Sequence, residues 1–233
     1  MSTAVVTGAA SGIGLATAAR LLAEGWEVHG WDLDPGQLDG VRWNSIDVSD
    51  VAQVRLAAAE ITSCDLLFNA AGIAPNGPAE EMPAEHWAKV IAVDLNGTFY
   101  CCQALFAALF ARKGVIINVA STRAYRPAPG RSAYAAAKAG VVMLTQSLGL
   151  EWAPHGIRVV AIAPGYVRTP LVQGLLDNGG LRSDVILDRT PLGRMAEPEE
   201  IAELVLSLSG PAFAFMTATT LTFDGGWLAN DSL

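Results

Sequence analysis

The sequence predicts an α/β fold: one doubly wound parallel sheet of about seven strands, with helices on both faces. Three observations point there. Short apolar runs alternate with Ala- and Leu-rich helical stretches along the whole chain. The runs are continuously apolar, as strands buried on both faces are, and do not alternate apolar with polar. No Ser-, Gly- or Pro-rich linker, internal repeat or low-complexity segment divides the 233 residues, so a single domain over 1–233 is expected.

The elements follow in chain order. "TAVVT" (3–7) is the first strand, and a helix runs from about Gly12 to Glu24, with Gly25 as its stop signal. "WEVHGWD" and "VRWNSIDV" are strands, followed by a helix from about Val51 to Ile61. "DLLFNAAG" is a buried strand ending in a glycine turn, and a long helical zone covers His86 to Arg112. The strand "VIINVAS" leads to a helix from about Ser132 to Ala153 and then to the strand "IRVVAIAPG". A last helix opens at Pro198 and precedes the strand "TLTFDGG". Each strand is expected to be reached through a helix.

Composition narrows the function. Apolar residues are 52% of the chain and charged residues 16%, which suits an Ala-rich domain that hides much of its surface, in part against sister subunits. The 15 basic and 23 acidic residues give a net charge of −8 without a long basic run. Nucleic acid and anionic membranes are therefore not expected as partners. Met1-Ser2-Thr3 leads directly into the apolar "AVVTG" without a basic n-region, and no uninterrupted apolar stretch is long enough to span a bilayer. Cys64, Cys101 and Cys102 read as buried reduced thiols, so a cytoplasmic protein is expected. His29, His86 and His155 have no metal-ligand spacing, and no metal is expected.

The stretch "TGAASGIG" (7–14) sits between the first strand and the first helix. A helix N-terminus offers free N–H groups and partial positive charge, which stabilise a phosphate there. In this setting Gly8 permits the tight turn, Gly12 lets the backbone approach the phosphate, and Gly14 lets helix and strand pack closely, with Ser11 and Ile13 between them. Asp32, with Leu33 after it, ends the strand "WEVHGWD", where a carboxylate can bond both hydroxyls of an adenosine ribose. A 2′-phosphate would meet this negative charge, and the following "LDPGQLDG" offers no Arg or Lys to offset it. The expected cofactor is NAD, with Asp47 and Val48 bordering its adenine.

Taken together, "TGAASGIG" (7–14), "NAAG" (69–72), Ser121, "YAAAK" (134–138), "PGYVRT" (164–169) and "DGG" (224–226) resemble the short-chain dehydrogenases/reductases of the single-domain, Rossmann-fold type. The resemblance runs from Thr7 to Gly226. It implies nicotinamide-dependent oxidation of an alcohol or reduction of a ketone, and a homotetramer. The chemistry is also readable in the residues. Tyr134 and Lys138 are four apart on a predicted helix and share a face. A free phenol titrates near ~10, and a neighbouring ammonium favours its phenolate, which makes a tyrosine a workable general acid/base. Ser121 ends a strand where a hydroxyl can bond the substrate oxygen. On their own these residues also read as a packed aromatic, a surface lysine and a strand-end cap. The resemblance further implies that Lys138 holds the nicotinamide ribose. It adds Asn69, Ala70, Ala71, Gly72, Pro164, Gly165, Val167 and Thr169 as cofactor contacts.

The chain departs from the family in two places. Relatives often complete a proton relay with an Asn in a context like "VNLxG"; here the stretch is "VDLNG" and the position is Asp94. Asn96, about 200° further round a helix, does not take over its direction. Asp94 either holds a water near Lys138 and favours its ammonium form, or bonds local backbone. Val160 stands where relatives often have Asn, a packing matter. "STRAYRPAPGRSAY" carries Arg123, Arg126 and Arg131 between the catalytic Ser and Tyr, with no acid from residue 95 to 150. These arginines either hold a carboxylate or phosphate or are solvated or subunit contacts. Arg123, Tyr125, Arg126, Tyr166 and Leu171 are the expected substrate contacts. The segment at about 170–190, with apolar Leu171, Val172, Leu175 and Leu176 and a break at Gly179-Gly180, reads as a substrate lid. A small polar ketone, a sugar acid or a β-oxoacyl group all fit this description. Two other readings stand beside it: a 3-oxoacyl-thioester reductase of the acyl-carrier-protein type, and a non-catalytic NAD-binding sensor.

Overall fold

A computed structural model describes residues 1–230. Seven parallel strands form one sheet: β1 (Thr3–Thr7), β2 (Glu27–Asp32), β3 (Val41–Ser45), β4 (Leu66–Asn69), β5 (Val115–Val119), β6 (Arg158–Pro164) and β7 (Thr219–Phe223). Their order across the sheet is β3-β2-β1-β4-β5-β6-β7. The helices are α1 (Gly12–Ala23), α2 (Val51–Ala58), α3 (Ala84–Val90), α4 (Thr98–Ala104), α5 (Phe106–Arg112), α6 (Ser132–Trp152), α7 (Pro170–Asp177), α8 (Ser183–Arg189) and α9 (Pro198–Ser209).

Side chains alternate across a strand, and here both sides are buried. Val5, Leu67, Ile116 and Val159 join Cys101, Leu105, Leu109 and Leu148 in a core on one face. Their neighbours Val6, Phe68, Ile117 and Val160 join Leu21, Ile201 and Val205 of α1 and α9 on the other. Burying a side chain of this size stabilises by about 1.5–3 kcal/mol, which is why the strands read as unbroken apolar runs. The three cysteines are buried and unpaired.

Two expectations need correcting. β2 and β3 are neighbouring parallel strands, yet residues 33–40 between them contain no helix. The sequence there, with Pro35, Gly36 and Gly40, cannot sustain one. The helical zone before β5 is not one helix either. It passes from α3 through a π-helical stretch, Ile91–Gly97, into α4, and bends by 55° before α5. Among the described residues no single helix is long and apolar enough to cross a membrane.

The order reverses between β1 and β4, because β2 and β3 lie to one side of β1 and β4 to β7 to the other. A crevice opens outside the carboxyl ends of the strands at such a point. That is where the glycine turn after β1 meets the turn after β4.

Candidate active site

The glycine turn is latched on three sides. Gly8 has a φ of +66° and donates its N–H to the Trp31 carbonyl (2.8 Å). A Cβ at Gly8 would fall 2.9 Å from the backbone of Ala71, and one at Gly14 only 2.0 Å from the Gly8 carbonyl oxygen. Both glycines are thus required by close backbone packing. The Thr7 hydroxyl accepts the N–H groups of Ala70 and Ala71, each at 3.1 Å, and so ties the β1 and β4 turns together. The first bond inside α1 runs from the Leu15 N–H to the Ser11 carbonyl, and the Ser11 side chain makes no capping bond. The N–H groups of Gly12, Ile13 and Gly14 therefore have no intrahelical partner and face the crevice mouth, a donor set that fits a pyrophosphate.

Asp32 is fixed by the same turn. Its carboxylate accepts the N–H of Ala10 at 2.9 Å and of Leu33 at 2.8 Å. The groove lining joins Gly8, Ser11, Gly12, Ile13 and Gly14 to Asp32, Leu33, Asp47 and Val48, then to Ala70, Ala71 and Gly72, and finally to Asp94, Tyr134, Lys138 and Thr169. Residues from seven separate stretches of sequence meet there.

Four of the expected contacts do not line it. Asn69 turns under the sheet, where its amide donates to Asn118 Oδ1 at 2.9 Å. Pro164 is a buried member of β6, and Val167, 3% exposed, belongs to the core beneath α9. Gly165 opens instead into the neighbouring pocket. Thr169 keeps its place in the groove, but its hydroxyl caps α7 by accepting the Val172 N–H (3.3 Å). Lys89 of α3 and Val93 of the π-helical stretch, unexpected from the sequence, also line the groove. A helical period gives no sign of Val93, since π winding changes which residues share a face.

Asp94 and Lys138 form a buried pair. Lys138 Nζ lies 3.2 Å from Asp94 Oδ2 and donates to the Val119 carbonyl at 2.9 Å. Asp94 Oδ1 accepts the Ile73 N–H at 2.9 Å, a bond to a distant turn rather than to local backbone. Burial pushes the Asp94 carboxyl up, against the opposing pull of Lys138 and Ile73. For Lys138, burial favours loss of the proton, but Asp94 and then Tyr134 outweigh it and hold the ammonium above its ordinary value. Lys138 Nζ is 5.6 Å from the centre of the Tyr134 ring. Asn96 is not part of the lining.

A second pocket adjoins the groove. Ser121, Arg123, Arg131, Tyr134 and Tyr166 form its polar side, and Leu171, Val172, Leu175 and Leu181 from the 170–190 segment form its apolar side. Ser121, 7% exposed, accepts the Arg123 N–H at 3.1 Å, which leaves its own O–H to donate. Tyr125 and Arg126 are not brought here. They lie beside Thr222 and Leu228, and Arg126 donates to the Asn230 carbonyl at 3.1 Å. The 3-10 turn Thr122–Ala124 carries the chain away from the pocket immediately after Arg123. Among the described residues no three His, Cys, Asp or Glu side chains converge as a metal site.

A family model described as "Enoyl-(Acyl carrier protein) reductase" matches residues 8–228. The cis-4-hydroxycyclohexanecarboxylate dehydrogenase of Sinomonas cyclohexanicum is 43% identical, over 97% of this chain and 96% of that protein. The chain is a short-chain dehydrogenase/reductase. The D-threitol dehydrogenase of Mycolicibacterium smegmatis is 38% identical, over 96% of this chain and 92% of its own length. Among solved structures, the ligand-free aldohexose dehydrogenase of Thermoplasma acidophilum superposes with a TM-score of 0.93 at 30% identity, covering 100% of this chain and 96% of that one. As a short-chain dehydrogenase/reductase the chain is an oxidoreductase of CH–OH groups that works with a nicotinamide cofactor.

Proposed function

We propose that this short-chain dehydrogenase/reductase transfers a hydride between NAD and a small polar secondary alcohol or its ketone, in one catalytic domain spanning 1–233 whose segment at about 170–190 is the substrate lid. The observation that carries this is that Tyr134 lines both the groove and the adjoining pocket, so one phenol faces cofactor and substrate together. Bound NAD supplies the hydride acceptor, and the protein does the rest. The Ser121 O–H bonds the substrate oxygen and stabilises its developing charge. Tyr134 takes the alcohol proton in the oxidative direction and returns it in the reductive one. Lys138 holds the nicotinamide ribose and keeps positive charge beside the phenol. Asp32, oriented by two N–H groups, bonds the adenosine ribose hydroxyls and repels a 2′-phosphate. The relatives' named substrates, a hydroxycyclohexanecarboxylate and threitol, support a polar secondary alcohol.

The test is NADH formation over a panel of secondary alcohols, polyols, sugar acids and 3-hydroxyacyl thioesters, each run with NAD and with NADP. Turnover of a polar alcohol with NAD is expected. Turnover of the thioester with NADP instead would favour the 3-oxoacyl-thioester reductase reading, against which Asp32 stands.

Asp94 is a positioning residue in this account. Asp94→Asn keeps an acceptor for Ile73 and removes the charge that raises Lys138. Burial then acts unopposed by that charge, so Lys138 loses its proton at lower pH. The alkaline limb of the kcat/KM profile is expected to move down in pH; a limb that stays put contradicts the assignment.

The same reading includes a homotetramer and a cytoplasmic location, the latter supported by three unpaired buried cysteines. Subunit contact is supported by apolar side chains standing out from the two helices that would meet: Phe110 of α5 is 52% exposed, and Met143 and Leu150 of α6 are 59% and 72% exposed. Light scattering should find a tetramer that Leu150→Glu converts to smaller species. A wild-type monomer would contradict it.

A further inference from the structure

The pocket beside Tyr134 holds a cation that its surroundings do not neutralise. Arg131, which precedes α6, is 8% exposed and makes one hydrogen bond among the described residues, from Nη1 to the Ala74 carbonyl at 3.3 Å. A guanidinium carries five N–H donors, so most of this one's capacity is unspent on a side chain that is largely buried. Burial pulls its pKa down, the sign of a charge that is costly where it stands. Among the described residues no carboxylate lines the pocket, and residues 95–150 contain none.

The neighbouring cation is committed elsewhere. Arg123 is seated over the rings of Trp227 (4.8 Å) and Tyr166 (5.8 Å) and donates to the Tyr166 hydroxyl at 2.6 Å and to the Arg126 carbonyl at 3.3 Å. Arg189 also lies over Trp227, at 4.5 Å, with Nε and Nη2 buried and, among the described residues, without hydrogen-bond partners. Arg189 does not line the pocket; of the two arginines that do, Arg131 is the one with donors left over for a ligand.

We propose that Arg131 is an anion subsite that holds the carboxylate of a hydroxy-carboxylic acid substrate, its carbinol lying at Ser121 and Tyr134 and its carbon skeleton against Leu171, Val172 and Leu175. This rests on the hydride-transfer reading above and names its substrate class. A carboxylate suits the site better than a phosphate ester. It is planar, meets a guanidinium through two parallel bonds, and needs only one. A dianion would ask for more donors than Arg123 leaves available.

The test uses calorimetry on the full chain saturated with NADH, with cyclohexanecarboxylate and its neutral isostere cyclohexanecarboxamide as probes. The carboxylate is expected to bind the wild type about 10–100-fold more tightly than the amide, the range for charge-assisted hydrogen bonds. Arg131→Gln should erase that preference, and Arg131→Lys should retain part of it. Equal binding of acid and amide by the wild type overturns the proposal, even where Arg131→Gln fails to fold. An acid preference that survives in folded Arg131→Gln overturns it too, as does tighter binding of cyclohexyl phosphate than of the carboxylate. Failure of the underlying reading looks different: the carboxylate preference depends on Arg131, yet no hydroxy acid or neutral alcohol yields NADH.

Discussion

Tyr134→Phe is expected to lower kcat by about two to four orders of magnitude, the range for removing a positioned general acid/base. Among the described residues the phenol is the one titratable group that lines both groove and pocket. Removing its oxygen therefore leaves the alcohol proton without an acceptor next to Ser121. The ring remains to pack at the head of α6, so the loss should appear in kcat with the melting temperature little changed. Steady-state kinetics with NAD and calorimetric melting check it. A variant that keeps wild-type kcat would move the proton transfer to another group.

Asp32→Asn combined with Leu33→Arg is expected to reverse the cofactor preference. Each charge-assisted bond to a ribose hydroxyl is worth about 1.5–3 kcal/mol, so losing the carboxylate costs about 10–100-fold in kcat/KM with NAD. Asn keeps the shape and one acceptor for the Ala10 or Leu33 N–H that now bonds the carboxylate, which preserves the turn. Leu33 is 63% exposed, so an arginine there displaces no core side chain and can pair with a 2′-phosphate. The gain should be seen as kcat/KM with NADP rising above that with NAD. Unchanged preference would mean that Asp32 does not face the ribose.

Much of this was legible in the sequence, for physical reasons. Strands buried on both faces read as apolar runs, and β1, β4, β5 and β6 are apolar apart from Thr3, Thr7, Asn69, Asn118 and Arg158. The glycines of the turn cannot be replaced where backbone lies 2.0–2.9 Å from a would-be Cβ, so they stand out as a spaced set. Tyr134 and Lys138 share a face because α6 is regular across them. What was not legible depends on partners far along the chain. Asn69 belongs to "NAAG", but strand alternation aims it at Asn118 under the sheet instead of at the groove. Asp94 meets Lys138 through a π-helical stretch that no apolar period announces. Tyr125 and Arg126 are separated from Arg123 by a 3-10 turn, so three neighbours in sequence end on two surfaces. The unbalanced charge at Arg131 did have a signal, three arginines in a stretch without an acid, but only its burial singles out one of them.

On the proposed function, the groove and pocket meeting at Tyr134 pass a hydride directly between a secondary alcohol and NAD. The most direct measurement oxidises the best alcohol of the panel, deuterated at its carbinol carbon, and determines by mass spectrometry what the NADH carries. Direct transfer gives NADH that contains the deuterium, formed by the wild type and at a rate lowered by Tyr134→Phe. NADH formed without deuterium, or formed equally fast by the Tyr134→Phe enzyme, would contradict it.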